Sequence, residues 1–510
     1  MTATSLNDAD LGGFIPSDGP VGVAGLGITG RAVARVLLDA GFSVVAWDSR
    51  SRDGSFTASI QSLIDRGLEV FTADAPAQEF EKTFSRRQPQ CVVASPGWHP
   101  DSLLFLSARQ HQVPIWSEAE LAWKMRRNDD PQWIVLTGTN GKTTTVTMLE
   151  HIFAAANVPA RAVGNIGEPL IEAALDSALD FVLVELSSFQ LHFTHSIQPV
   201  ASALLNIAPD HLDWHGTFDA YVADKGKIYQ GTQKACLYNA GDEVTREVLE
   251  QADVASGCVA VGVTLSAPQL GTLGVVENHL YDRGFFLHRR SQALELGSVA
   301  DISSQPAPHL VMNALFAAGL SLGAGISAED LAVGLRSYRD SPSHDADRGE
   351  VVKVENRITF INNSKATNPH AAHAALSGFP AKSTVWILGG DSKGLELETL
   401  VTENLTRLKG VVLLGADRSA LRSVFARHAP SLPLIEVDAS QTEGVSVKSR
   451  ETRDEAVERR IMERAVAGAE GLAAPGDYIV LAPACASIDQ FSSFQARGAA
   501  FRKAVTREQV

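Results

Sequence analysis

Short apolar runs alternate with longer stretches of helical periodicity along the 510 residues, and this alternation is typical of an α/β protein. An apolar run that ends at glycine, proline or a polar residue predicts a buried strand. We predict strands at residues 21–25, 44–47, 91–94, 133–137, 181–184, 201–205, 358–361, 385–388, 411–414 and 478–481. Helices are expected at 28–40, 144–156 and 221–229, and the charged segment 446–464 predicts a solvated helix.

Two polar stretches, 126–131 and 339–347, divide these elements into three successive α/β units. A chain of this length is too long for one compact core, and at about 150 residues per domain it suggests roughly three domains. We therefore predict domains at 1–130, 131–340 and 341–510.

The net charge of the chain limits the kinds of molecule that it is expected to bind. The chain has 44 Lys and Arg against 59 Asp and Glu, a formal net charge of −15. This acidic balance argues against broad electrostatic binding to nucleic acid or to an anionic membrane, so an anionic substrate needs a local basic pocket. With 45% hydrophobic residues, no apolar run of membrane-spanning length and no signal-peptide pattern in residues 1–18, we expect a soluble cytoplasmic protein.

The four cysteines are scattered through the chain and none belongs to a CxxC pair: Cys91, Cys236, Cys258 and Cys485. This spacing argues against a zinc site or a disulfide framework. It favours a reducing compartment.

A glycine-rich loop follows the predicted strand at 133–137 and precedes a predicted helix. Its residues are Gly138, Thr139, Asn140, Gly141, Lys142, Thr143 and Thr144. Backbone N–H groups at such a helix start bind phosphate oxygens, a lysine in this position reaches the β- and γ-phosphates, and the next hydroxyl reaches Mg²⁺. The full pattern G-x-x-x-x-G-K-[ST] requires a glycine where this chain has Leu136, so a tight turn with an incidental lysine remains the alternative.

Polar residues follow the next two predicted strands. Glu185 ends the strand at 181–184 and is a candidate metal carboxylate, with an ordinary strand-end charge as the alternative. The loop 206–215 carries two Asp and two His, which suit a second Mg²⁺ or substrate, unless it is only a capped turn. Composition alone predicts that Lys225 and Lys227, on the following helix, are solvated.

The segment Gly25-Leu-Gly-Ile-Thr-Gly30 matches G-x-G-x-x-G between a strand and a helix, and Asp48 ends the next strand. By itself this motif favours a nicotinamide-dependent dehydrogenase. The physical expectation is broader, namely a nucleotide or diphosphate at a helix N-terminus. Two glycine motifs in one chain therefore indicate two nucleotides, or a nucleotide-tagged substrate and ATP.

Over nearly its whole length the chain resembles the Mur ligase family. The motifs that carry the resemblance are Gly25-Leu-Gly-Ile-Thr-Gly30, Ser95-Pro-Gly97, Thr137-Gly-Thr-Asn-Gly-Lys-Thr-Thr144, Gly164-Asn-Ile-Gly167, Glu185-Leu-Ser-Ser-Phe-Gln190, Asp210-His211, Asn363-Ser-Lys-Ala-Thr-Asn368, Gly389-Gly-Asp-Ser-Lys393 and Ala482-Pro-Ala-Cys-Ala-Ser-Ile-Asp-Gln-Phe491. The phosphate-loop form is shared with folylpolyglutamate synthetases. The Leu-Ser-Ser-Phe-Gln, Ser-Lys-Ala-Thr-Asn and Pro-Ala-Cys-Ala-Ser runs resemble the member that adds D-glutamate.

The resemblance implies an N-terminal Rossmann-like domain that binds UDP, not NAD, a central P-loop ATPase domain and a C-terminal Rossmann-like domain. It implies an ATP-dependent, ADP-forming ligase that adds D-glutamate to UDP-N-acetylmuramoyl-L-alanine through an acyl phosphate, in cytoplasmic peptidoglycan precursor synthesis. The implied cofactors are ATP, two Mg²⁺ ions and a CO₂-derived carbamate on Lys225. The expected state is a monomer with no nucleic-acid partner and no membrane span.

The resemblance also implies roles for individual residues. The catalytic set is Lys142, Glu185, His211 and Lys225, and the implied metal ligands are Thr143, Glu185, His211 and carbamylated Lys225. ATP contacts are implied for Gly138, Thr139, Asn140, Gly141, Lys142, Thr143, Thr144, Asn313, Arg348, Asn363 and Lys365. Contacts to the UDP-sugar are implied for Ile28, Thr29, Asp48, Ser49, Gly97 and Asn165, and D-glutamate contacts for Thr367, Lys393, Ser487 and Phe494.

Three positions depart from the family pattern near the implied ATP site: Asn363 replaces an aspartate, Leu310 replaces an asparagine and Asp347 replaces a histidine. The alternatives to the D-glutamate ligase are another ligase of the family such as a folylpolyglutamate synthetase, a nicotinamide-dependent dehydrogenase, and a non-catalytic nucleotide-binding module.

Overall fold

The computed structural model describes residues 19–49, 56–127, 129–303, 307–341, 347–392, 397–437 and 455–507. Within these residues the strands form three largely parallel sheets with helical connections, so the chain is an α/β protein, as the alternating pattern predicts. The chain divides into two compact units, Met1–Asp340 and Ser341–Val510. This division lies inside the polar stretch 339–347, and the finer division into three domains stays a prediction. No helix in the described part of the chain is both long and apolar enough to cross a bilayer.

The first sheet has five parallel strands. In chain order they are β1 (Val21–Ala24), β2 (Val44–Asp48), β3 (Glu69–Thr72), β4 (Cys91–Ala94) and β5 (Ile115–Ser117). The helices that connect and follow them are α1 (Ile28–Asp39), α2 (Ala58–Asp65), α3 (Ala77–Arg87), α4 (Leu103–Gln110) and α5 (Glu118–Met125). The order β3-β2-β1-β4-β5 reverses direction at β1. A crevice therefore opens between the carboxyl ends of β1 and β4, where α/β proteins commonly bind ligands.

The middle sheet has nine strands within the described residues, more than the three that apolar runs predict. They are β6 (Gln132–Thr137), β7 (Ala160–Gly164), β8 (Phe181–Glu185), β9 (Ala201–Leu204), β10 (Ala235–Asn239), β11 (Val259–Val263), β12 (Thr272–Val276), β13 (His279–Asp282) and β14 (Leu294–Ser298). Their order is β14-β13-β12-β11-β10-β9-β6-β8-β7. Because β6 pairs with both β8 and β9, the loops that follow these three strands meet at one edge.

The helices of the middle sheet complete its core. They are α6 (Lys142–Ala155), α7 (Leu170–Ala174), α8 (Ser188–His192), α9 (Leu212–His215), α10 (Phe218–Gly226), α11 (Glu243–Glu250), α12 (Pro308–Ala324) and α13 (Ala328–Asp340). α6 packs against α12 and α13, and one apolar cluster joins these helices to the sheet. The burial of this face fixes the start of α6, and with it the phosphate loop, at the carboxyl edge.

Two buried carboxylates of α5 hold the first sheet to the middle sheet. Glu118 Oε1 accepts a hydrogen bond from Ile171 N at 3.1 Å, and Glu120 Oε2 accepts from His195 N and Ser196 N at 2.8 and 2.9 Å. Burial raises the pKa of Glu118 to about 7. Burial also works against ionisation of Glu120, but its hydrogen bonds outweigh burial and lower its pKa.

The third sheet lies in the second compact unit. Its strands are β15 (Glu350–Glu355), β16 (Ile358–Asn362), β17 (Thr384–Gly389), β18 (Leu408–Leu414), β19 (Leu434–Glu436) and β20 (Tyr478–Leu481). Its helices are α14 (Pro369–Leu376), α15 (Glu398–Asn404), α16 (Ser419–His428), α17 (Glu455–Leu472) and α18 (Phe494–Thr506). The order is β15-β16-β20-β17-β18-β19, and all its pairings are parallel except that of β15 with β16.

The described part of the segment 446–464 is helical, as predicted, but the prediction that this helix is solvated is wrong for its apolar face. α17 buries Ile461, Met462 and Ala465 against the third sheet, and its charged residues occupy the other faces. Alternating charges concealed an apolar stripe at helical spacing. Residues 446–454 lie outside the described residues.

Candidate active site

The glycine-rich loop joins β6 to α6, and Gly141 begins the helix in a left-handed conformation with φ of 83°. A Cβ at this position would lie 2.4 Å from Asn313 Oδ1, so only glycine fits there. Asn313, on α12, is buried against the loop. Two of the residues with implied ATP contacts are therefore adjacent.

Asn206, in the segment that follows the neighbouring strand β9, holds the phosphate loop in place. Its backbone oxygen accepts from Thr139 N at 3.0 Å, and its side chain accepts from Asn140 N at 2.9 Å and donates to Asn140 O at 3.0 Å. Sequence reasoning did not single out Asn206. Its signal was a polar residue directly after a buried strand, at the edge where the phosphate loop was expected.

Two lysines converge on one carbonyl of the loop. Lys142 Nζ donates to Gly138 O at 2.8 Å, and Lys225 Nζ donates to the same oxygen at 2.9 Å. The expectation of a solvated side chain is wrong for Lys225, which is 2% exposed. Burial, with Lys142 nearby, holds the pKa of Lys225 well below its usual range. Lys227 is half-buried and pairs with Asp224 at 2.9 Å.

Tyr221 completes this pocket, although no sequence motif assigns it a role. Its hydroxyl lies 3.0 Å from Thr139 Oγ1, and Lys225 Nζ lies 4.9 Å from its ring centre. Burial raises the pKa of Tyr221, so the phenol stays protonated. The ring forms one wall of the Lys225 site.

Glu185, at the end of β8, is a buried carboxylate with one unsatisfied oxygen. Its Oε1 accepts from Asn165 Nδ2 at 3.0 Å, whereas Oε2 has no hydrogen-bond partner among the described residues. A buried carboxylate oxygen without a donor is a candidate ligand for a cation. The described residues hold no cluster of three His, Cys, Asp or Glu ligands, and Mg²⁺ suits such a site because it retains waters and phosphate ligands.

His211 follows β9 on the other side of β6. It adopts a left-handed conformation with φ of 54°, and its backbone N–H donates to Asp210 Oδ1 at 2.9 Å. Its ring meets the ring of Phe189 at a centroid distance of 4.7 Å. The left-handed turn directs the chain into α9, so His211 and Glu185 lie after the two strands that flank β6.

The first sheet gathers the residues with implied UDP contacts at the carboxyl ends of β1, β2 and β4. Asp48 is buried, and its Oδ2 accepts from Leu26 N at 2.6 Å, so this carboxylate fixes the glycine loop. Ile28 is 70% exposed. Thr29 is half-buried, and Ser49 and Gly97 are exposed near the same crevice. Asn165 directly follows β7 of the middle sheet and donates to Glu185.

In the second unit, the segments that carry the other implied contacts are joined to one another. Lys365 Nζ lies 4.2 Å from the ring centre of Phe494, and Ser364 Oγ donates to Phe494 O at 2.8 Å. The residues on these joined segments are Asn363, Lys365, Thr367, Ser487 and Phe494. Lys393 lies outside the described residues.

The structure shows the surroundings of two positions that depart from the family pattern, Asp347 and Leu310. Asp347 is buried and accepts from Arg502 Nη1 at 2.9 Å and from Asn362 Nδ2 at 2.8 Å, so it serves the packing of α18. Arg348 follows it directly and is half-buried. Leu310 packs at the margin of the middle core.

Comparisons with known proteins place the chain among its relatives. Residues 136–321 match the Mur ligase middle domain, and residues 347–485 match the Mur ligase glutamate ligase domain. The UDP-N-acetylmuramoylalanine--D-glutamate ligase of Streptomyces avermitilis is 44% identical over 95% of this chain and 97% of its own length. The same-named protein of Streptomyces coelicolor is 42% identical, with the same coverage.

Solved structures share the fold at low identity. The pseudomurein peptide ligase type C of Methanothermus fervidus has a TM-score of 0.55 at 17% identity and covers 96% of this chain and 99% of its own. The UDP-N-acetylmuramate-alanine ligase of Thermotoga maritima has a TM-score of 0.52 at 17% identity, with coverages of 96% and 100%. On the strength of its close relatives and of both domain matches, the chain belongs to the Mur ligase family.

Proposed function

We propose that this chain is an ATP-dependent amide ligase that joins D-glutamate to UDP-N-acetylmuramoyl-L-alanine, in the cytoplasm, as a step of peptidoglycan precursor synthesis. The observation that carries the reaction class is the grouping of Lys142, Lys225 and Glu185 at the phosphate loop. The choice of acceptor rests on relatives named as D-glutamate ligases that are 35–44% identical over most of the chain.

Each sheet has its own task in this proposal. The first sheet is a Rossmann-like domain that binds UDP at Ile28, Thr29, Asp48, Ser49 and Gly97. The middle sheet is a P-loop ATPase domain. The third sheet is a second Rossmann-like domain, which holds D-glutamate through Thr367, Lys393, Ser487 and Phe494 and contributes ATP contacts from Arg348, Asn363 and Lys365.

The substrate carboxylate attacks the γ-phosphorus of ATP, the bond to the β-phosphate oxygen breaks, and ADP leaves. Lys142 offsets the charge that collects on the phosphates, and the loop N–H groups orient them. Mg²⁺ supplies Lewis-acid charge neutralisation here, and Thr143, Glu185 and His211 would hold it. The neutral amine of D-glutamate then attacks the acyl carbon, loses one proton and displaces phosphate, which leaves the new amide.

Lys225 fits a carbamate ligand because its amine is buried and has a lowered pKa. A neutral amine is the nucleophile that attacks CO₂. The C–N bond forms, one proton leaves the nitrogen, and the product carries a negative charge. The nearby Lys142 favours that charge, and the anion would complete the donor set for Mg²⁺.

The test is phosphate release in the presence of ATP, Mg²⁺ and UDP-N-acetylmuramoyl-L-alanine, with D-glutamate or L-glutamate as the acceptor. We expect release with the D-isomer only. Lys142→Ala should abolish release while binding of the UDP-sugar persists, because that ligand sits mainly on the first sheet. Equal release with both isomers, or loss of sugar binding together with turnover, would contradict the proposal.

A further inference from the structure

Two of the four cysteines are in contact within the middle sheet. Cys236 is the second residue of β10, and Cys258 directly precedes β11. Because Cys236 pairs in register with Ala260 of β11 and side chains alternate along a strand, position 258 lies on the same face of the sheet as Cys236. The two Sγ atoms are 3.7 Å apart. The fold therefore brings together two thiols that are 22 residues apart in the chain.

Backbone hydrogen bonds hold the segments that precede these two strands against each other. Gly231 N donates to Asp253 O at 2.8 Å, and Ala255 N donates to Thr232 O at 3.0 Å. An S–S bond is about 2.05 Å long, so each sulfur needs to move by less than about 1 Å to form one. The pair is thus positioned for a bond between its sulfur atoms.

The environment of this pair differs from that of the other two cysteines. With Cys258 as the donor, the hydrogen bond between the thiols lowers the pKa of Cys236 and raises the pKa of Cys258. Burial raises the pKa of both Cys91 and Cys485 to about 12, so these two thiols stay protonated. Cys258 is half-buried, which gives the pair contact with solvent, whereas the other three cysteines are buried. Thiolate character and access to solvent are what an oxidant requires of a cysteine.

We propose that Cys236 and Cys258 form a modification site, at which a peroxide converts the two thiols into a reversible disulfide. First, one sulfur attacks a peroxide oxygen, the O–O bond breaks, and a sulfenic acid and one water form. The other sulfur then attacks the sulfenic sulfur, the S–O bond breaks, and the hydroxyl leaves with the thiol proton as a second water. Two electrons pass from the sulfurs to the peroxide, and the adjacent thiol stops the oxidation at the disulfide.

The disulfide would join β10 to β11 and close a loop that contains α11. Closing a loop restricts the unfolded chain and so stabilises the folded one. Cys236 lies near the amino end of β10, which runs parallel to β9 and β6, whereas the phosphate loop follows the carboxyl end of β6. The modification therefore strengthens the middle sheet at the edge opposite to the proposed active site.

Peptide mapping of the full chain, reduced and then exposed to hydrogen peroxide, tests the inference. We expect two of the four thiols to lose their reactivity towards a maleimide in denaturant. A digest without reductant should contain one peptide pair joined through Cys236 and Cys258, and dithiothreitol should restore both thiols. The Tm of the oxidised chain should lie a few degrees above that of the reduced chain.

Two variants separate the pair from the other cysteines. In Cys258→Ser the peroxide should add oxygen to Cys236 instead of forming a linkage, and the Tm should not rise. Cys91→Ser is the matched control, because it removes a buried cysteine of the first sheet and should leave the linkage and the rise in Tm intact.

The map of the parent chain decides the inference even if a variant does not fold. Four thiols that all stay reactive, oxidation of Cys236 without a linkage, or a linkage between two chains would each overturn it. A linkage that leaves the Tm unchanged would overturn its stabilising role. These measurements use neither ATP nor a UDP-sugar, so their outcome is independent of the proposed ligase activity.

Discussion

Gly141 shows how a single missing side chain shapes the phosphate loop. Its backbone is left-handed, and Asn313 Oδ1 occupies the space that a Cβ would need. We expect Gly141→Ala to lower the free energy of unfolding by about 1–3 kcal/mol and to weaken ATP binding, because both the strain and the clash act on the loop.

Gly471→Ala is the control for this prediction. Gly471 lies inside α17 with nothing near the position of an added Cβ, so alanine should stabilise the chain slightly. Chemical denaturation and nucleotide titration measure both variants. Equal stability of the two would show that the loop tolerates a side chain at position 141.

Lys225 is the residue whose chemistry depends most on burial. If its amine is carbamylated, removal of CO₂ and bicarbonate should lower activity, and added bicarbonate should restore it. Lys225→Arg should be inactive at all bicarbonate concentrations, because a guanidinium stays protonated. Carbon-13 spectra after ¹³C-bicarbonate addition should show a carbamate signal that is absent from Lys225→Arg. Activity that is independent of bicarbonate would contradict the carbamate.

Residues such as Lys142 and Glu185 were predictable because their signal is local: each follows an apolar strand at a spacing that phosphate or metal chemistry requires. Asn206 also follows an apolar strand, but its spacing does not mark it as a partner of the phosphate loop, and Tyr221 carries no local signal. Both reach that loop through the fold, Asn206 because β9 pairs with β6 and Tyr221 through its contact with Thr139. The burial of Lys225 was also unpredictable from the sequence. A lysine two positions from another lysine indicates an exposed side chain, and only the fold buries this one.

At the scale of elements, prediction succeeded where a strand is buried on both faces. β4 and β20 have the predicted bounds because every position is apolar, or nearly so, and neighbours cover both sides. The antiparallel β12, β13 and β14 were not predicted. Polar and apolar residues mix in them because one face of this ribbon is exposed, and their pairing depends on register rather than on composition.

The junction between α5 and α7 makes stability depend on pH. The pKa of Glu118 is raised to about 7, so the folded chain holds this proton more tightly than the unfolded chain. The resulting stabilisation is full below the ordinary value of 4.5 and is lost as the pH rises through about 7. This difference in pKa between the unfolded and the folded chain corresponds to at most about 3 kcal/mol of stability.

Glu118→Gln tests this junction, because glutamine can still accept from Ile171 N without ionising. We expect the Tm of the parent chain to fall between pH 5 and pH 8 and the Tm of Glu118→Gln to fall less. Above pH 7 the variant should be the more stable of the two. Parallel pH profiles for the two proteins would show that Glu118 does not titrate in this range.

At the scale of the whole molecule, the two compact units divide the proposed chemistry. Residues 1–340 contain both glycine loops, Glu185 and Lys225, whereas the implied ATP contact Lys365 and the implied D-glutamate contacts such as Ser487 lie in residues 341–510. Each unit also has its own apolar clusters, which is the requirement for folding alone.

A fragment of residues 1–340 should therefore fold and bind UDP with the affinity of the full chain, yet release no phosphate when all substrates are supplied. Full-length Lys142→Ala is the control. Like the fragment it should bind UDP and release no phosphate, but it still contains the second compact unit. Circular dichroism and calorimetry of the fragment measure folding and binding, and a fragment that folds without binding UDP would contradict this division of tasks.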